Sequence, residues 1–125
     1  MSEADRPCIN HVEVRLNAQV ALLEFVTPTL RAVNICWSSA AQAVHFDAFV
    51  DGPIGLVDEE LLGIVNCELG AQFSDAAVTH SVIRLDFPER IPEMQPDEGW
   101  DWACVYCRFD DYGNEYGRNN REDLS

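Results

Sequence analysis

The chain has 125 residues, with 22 acidic side chains against eight arginines and no lysine, for a formal net charge of -14. That length fits one domain, and 47% hydrophobic residues with 12 aromatics are too many for a disordered acidic tail. Such a charge repels phosphates and anionic lipids, which argues against direct nucleic-acid or membrane partners; without lysine, Schiff-base and lysine–phosphate chemistry are excluded.

Residues 1–9 read as a lead-in with no basic region followed by an apolar core, so no signal peptide is expected and a cytoplasmic protein is. From His11 to Val26, Val12, Leu16, Val20 and Leu23 recur at helical spacing and predict a first helix with that stripe as its core face. Thr27-Pro28 ends it, because the residue before proline avoids helical dihedrals. Leu30–Trp37 and Ala43–Val50 alternate with period two and are joined by a short loop, which predicts an antiparallel hairpin. Asp51-Gly-Pro-Ile-Gly55 breaks the chain, and Val57–Phe73 predicts a second helix. Its stripe is Leu61, Val65, Leu69 and Phe73, and Asp58, Glu59 and Glu60 sit at the positive end of its dipole. Thr79–Phe87 and Trp102–Phe109 predict two more strands, separated by a proline- and acid-rich connection.

The order is αββαββ. An α+β fold is expected, with a four-stranded antiparallel sheet and both helices on one face, a circular permutation of the ferredoxin-like pattern. Residues 1–111 are expected to form the domain and 112–125 a polar, flexible tail. One sheet face would stay open, carrying His45, Asp47, His80, Arg84, Trp102, Tyr106 and Arg108.

No metal, cofactor or catalytic motif emerges. Cys104-Val-Tyr-Cys107 spells C-x-x-C, but within a strand positions three apart point to opposite faces, and no second pair completes a zinc site. The five cysteines are an odd set, as buried thiols of a reducing compartment would be. Acidity is concentrated: residues 43–111 carry fifteen acids and three arginines, whereas residues 1–42 carry four acids and three arginines. Aromatics lie among those acids, most clearly in Pro96-Asp-Glu-Gly-Trp-Asp-Trp102. Aromatic anchors with an acidic rim suit capture of a basic protein, such as a nuclease, by covering its phosphate-binding surface.

The stretches Ala18–Val33 and Ile83–Pro92 resemble small acidic bacterial immunity proteins of contact-dependent growth inhibition and other polymorphic toxin systems. That resemblance implies stoichiometric binding of a cognate toxin domain without catalysis, and it transfers no binding residue. From the charge map, the partner-binding candidates are Asp47, Asp97, Glu98, Asp101, Trp102, Tyr106, Asp110 and Asp111. A monomer or weak homodimer is expected. Two other readings stay open: a small enzyme using His45 and His80 on the open face, and a non-catalytic subunit self-associating through Trp37, Phe49 and Trp102.

Overall fold

A computed structural model describes residues 9–23, 25–108 and 111. Its elements run α1 (His11–Leu22), β1 (Leu30–Ser38), β2 (Ala43–Val50), α2 (Leu56–Gln72), β3 (Ala77–Arg84) and β4 (Asp101–Cys107). The class is α+β and the order αββαββ, as the hydrophobic periods predict; the proposed tail, 112–125, lies outside the described residues.

The strand order is β3-β2-β1-β4. β1 pairs antiparallel with β2 and with β4, but β3 runs parallel to β2, from Ala43 opposite Ala77 to Val50 opposite Arg84. The sheet is therefore mixed, and the expected antiparallel, permuted ferredoxin-like sheet is corrected. The reason is one of lengths. The 17 residues of α2 span about 25 Å, close to the ~27 Å of an eight-residue strand. The helix thus returns the chain to the end where β2 began, and β3 starts alongside it. β3 and β4 occupy opposite edges, so the segment 85–100 must cross the whole sheet.

Both helices cover one face. The main core joins Val14, Ala18, Ala21 and Leu22 of α1 and Leu62, Val65 and Leu69 of α2 to Val33, Ile35 and Trp37 of β1 and Val44, Phe46, Ala48 and Val50 of β2. α2 buries Val65, Leu69 and Phe73 of the stripe its sequence predicts, with Leu62 buried in place of the half-exposed Leu61. α1 does not: Val12, Leu16, Val20 and Leu23 point outward, and the opposite side, with its two small alanines, meets the sheet. Asn10 caps α1 by accepting the Val12 N–H at 2.8 Å, and the Asp58 carboxylate of α2 accepts the Gly55 N–H at 3.0 Å.

The other face is not left open. All nine residues of β1 are buried, so this central strand is covered on both sides. Residues 85–100 form a strap across the helix-free face. Ile91 is fully buried against Ala32 and Phe49, with Ile83 and Leu85 beside it. Asn34 Nδ2 donates to the Pro92 carbonyl at 3.1 Å.

At the entrance of β1 the pairing with β2 shifts at Arg31, whose side chain is fully buried. Its Nη2 and Nε donate to the Asp111 carboxylate at 2.6 and 3.0 Å, Nη1 donates to the Leu85 carbonyl at 2.7 Å and Nη2 also to the Glu89 carbonyl at 2.6 Å. The Phe87 ring lies beneath both Arg31 and Arg108, at 5.5 and 5.9 Å from centroid to guanidinium carbon. The start of the strap is thereby tied down.

Candidate partner-binding face

The strand register sorts the helix-free face into three rows. One row is Trp102, Cys36, His45 and Thr79; the next is Cys104, Asn34, Asp47 and Ser81; the third is Cys107, Ala32, Phe49 and Ile83. The third row is apolar and lies under Ile91 of the strap. The first two are polar and partly exposed toward β3 and β4, so the accessible part of this face is a polar strip beside an acidic strap.

Within the strip, His45 sits between two partners. Its Nδ1 is 2.7 Å from Thr79 Oγ1 and its Nε2 is 2.8 Å from Asp47 Oδ1. The first bond ties β2 to β3, and the second, within β2, engages one oxygen of the Asp47 carboxylate. Cys36, opposite His45, is buried, and burial together with the nearby Asp47 charge pushes its thiol up to about 11. It is a protonated small hydrophobe at neutral pH, not a nucleophile.

The acidic candidates cluster at the start of β4. Asp97 and Glu98 are exposed at a turn closed by the Trp100 N–H donating to the Asp97 carbonyl at 3.1 Å. Gly99 has φ +89°, a conformation that disfavours any side chain, and turns the chain into β4. Asp101 is exposed and opposes Trp37; Trp102 is half-buried and opposes Cys36. Asp101 and Trp102 also line an open depression of about 280 Å³ with His11, Arg15, Trp37 and Ala103. The structure thus brings Asp97, Glu98, Asp101 and Trp102 to one sheet edge, with Asp47 two strands away on the adjoining face.

Other candidates fall elsewhere. Tyr106 opposes Val33 and packs on the helix-side core, because a bulge at Val105 shifts the alternation of β4. Asp111 has no exposed side-chain surface and is spent on Arg31, so it belongs to the fold rather than to a rim. Asp110 lies outside the described residues. The same bulge places Cys104 and Cys107 on one face, opposite Asn34 and Ala32, where strict alternation would have separated them.

The two competing sites do not form. His80 stacks on Phe46 on the helix side, with ring centroids 5.1 Å apart, and accepts from Asn66 Nδ2 of α2 at 2.7 Å, so the sheet separates it from His45. Trp37 and Phe49 are buried, so they form no exposed patch with Trp102. Arg84 opposes Val50 of the helix-side core and pairs with Asp86, and Arg108 donates to the Pro28 carbonyl at 2.9 Å and to Asp51 at 3.3 Å. The role of Arg31 was missed by sequence reasoning. Its signal is a charge inside Leu30-Arg-Ala-Val33, since a cation in a buried run requires an anion elsewhere in the chain.

Among the described residues no helix is long and apolar enough to cross a membrane. No curated protein matches the chain. A family model described as MafI2 immunity protein matches residues 11–110.

Proposed function

The chain belongs to the MafI2 immunity protein family, hence to the immunity proteins of polymorphic toxin systems, and from that premise we propose that it neutralises a basic, nuclease-type toxin domain by covering its active site. The observation that carries this reading is the run of exposed Asp97, Glu98 and Asp101 leading into half-buried Trp102 at the start of the edge strand β4. Carboxylates there stand in for the phosphates a nuclease binds, and the half-buried indole supplies an apolar anchor. Inhibition is stoichiometric, takes place in the cytoplasm and needs no catalysis by this chain. The acidic region speeds encounter, and close packing around Trp102 sets the residence time.

Co-expression with the product of the gene immediately upstream, as the candidate toxin, tests the reading. Co-purification in equimolar amounts and restored growth are expected. Growth arrest with no complex would overturn it. A complex in which the toxin still cleaves its substrate would overturn occlusion of the active site.

A further inference from the structure

The stripe Val12, Leu16, Val20 and Leu23 is 49, 55, 64 and 76% exposed, although its spacing is that of a buried helix face. α1 is apolar on two opposite sides, and the sheet covers only one. Its flanks are turned toward other elements: Glu13 lines a depression with Gln72 and Phe73 beyond the end of α2, and His11 and Arg15 line one with Asp101 of β4. The stripe is therefore the outermost ridge of the helix layer. Among the described residues nothing covers it, and residues 1–8 and 112–125 supply one leucine between them, no valine or isoleucine, and Met1, Tyr112 and Tyr116 as their other large apolar side chains.

We propose that this ridge is a homodimer contact, covered by α1 of a second copy. Three observations choose that occupant. The ridge reads Val-Leu-Val-Leu, so an antiparallel two-fold close to residue 18 brings Val12 near Leu23 of the second copy and Leu16 near its Val20; each valine meets a leucine, as a self-complementary contact requires. α1 carries only Glu13 and Arg15 as acidic and basic residues besides His11, whereas residues 43–111 hold fifteen acids and three arginines. It is thus the part of a -14 molecule that a like-charged copy approaches with least repulsion, and it offers a basic toxin little attraction. The four side chains leave roughly 400 Å² open, about half of what one partner buries in a standard interface. That area fits a weak, concentration-dependent dimer whose β4 edges stay free. The inference is independent of where the toxin docks.

Sedimentation equilibrium on the full chain over about 10–500 µM tests it, at about 20 and 500 mM NaCl. The mass average should climb from 14.0 kDa toward twice that value, and should climb further at high salt, which screens the repulsion between two -14 chains. Leu16→Glu and Val20→Glu, both on exposed positions, should hold the mass at one chain with an unchanged unfolding midpoint. Wild-type chain of single mass at every concentration overturns the proposal. So does a Leu16→Glu chain that dimerises like wild type, or a wild-type monomer whose toxin affinity is lost on Leu16→Glu, which would give the ridge to the toxin.

Discussion

A guanidinium carried into the interior must have its donors satisfied, and Arg31 does so with pieces of chain far from it in sequence: the Leu85 and Glu89 carbonyls and the Asp111 carboxylate. Removing one partner of such a pair leaves a buried charge unmatched. Asp111→Ala should therefore cost about 3–5 kcal/mol in urea unfolding. Toxin affinity per folded molecule should stay unchanged, the outcome that separates a structural carboxylate from a docking one. Breaking the solvent-exposed Arg84–Asp86 pair, by contrast, should leave the urea midpoint essentially unchanged. His80 makes the opposite demand. Its Nδ1 accepts from Asn66, so that nitrogen must be unprotonated, and burial, reinforced by nearby His45, holds its pKa below the usual 6.5. As pH falls below 6.5 the unfolded chain takes up this proton before the folded one. The stabilisation is thus present above that pH and lost as pH drops through the folded value. The urea midpoint should fall between about pH 7 and 5.5, and His80→Gln should flatten that part of the profile.

At the scale of elements, the strap does the work of a missing helix layer. Ile91 is its single fully buried aliphatic anchor, packed on Ala32 and Phe49. Ile91→Ala should lower stability by about 2–5 kcal/mol in the same urea measurement, a core-sized loss from a residue in a segment without helix or strand. The sequence disclosed the hairpin of β1 and β2 almost to the residue, because alternation and a short loop are local signals. It also disclosed most of the buried stripe of α2. It misled on α1, where period alone selects Val12, Leu16, Val20 and Leu23. Ala18 and Ala21 face the sheet instead, because which of two apolar sides turns inward depends on what packs there. The parallel pairing of β3, the bulge at Val105 and the burial of Asp111 were illegible for a common reason: each is set by strands or side chains far away in sequence. Of the candidate site, the Asp97–Trp102 cluster was legible because its members are neighbours along the chain, whereas Tyr106 depended on a bulge.

The whole molecule carries its acids on both sides of the sheet, on the exposed first turns of α2 at Glu59 and Glu60 and along the strap at Glu93, Asp97 and Glu98. Bulk charge therefore guides a basic partner in from a distance, and local placement decides where it stops. The triple variant Asp97→Asn, Glu98→Gln, Asp101→Asn should slow toxin association about tenfold at low ionic strength in stopped-flow mixing, more than neutralising Glu3, Asp5 and Glu13 does. The gap should close as salt rises. The topology also sets a timetable. β1 lies at the centre of the sheet, yet its partner on one side is the last strand among the described residues to be made, beginning only at Asp101. While the ribosome adds residues 39–100, roughly 3–12 s at ~5–20 residues per second, that edge of β1 has no β4 to pair with and the strap is incomplete. An unpaired edge of this kind recruits other strands. A cell thus gains no protection from a partly made chain, and its defence lags each new round of synthesis by the time β4 takes to arrive.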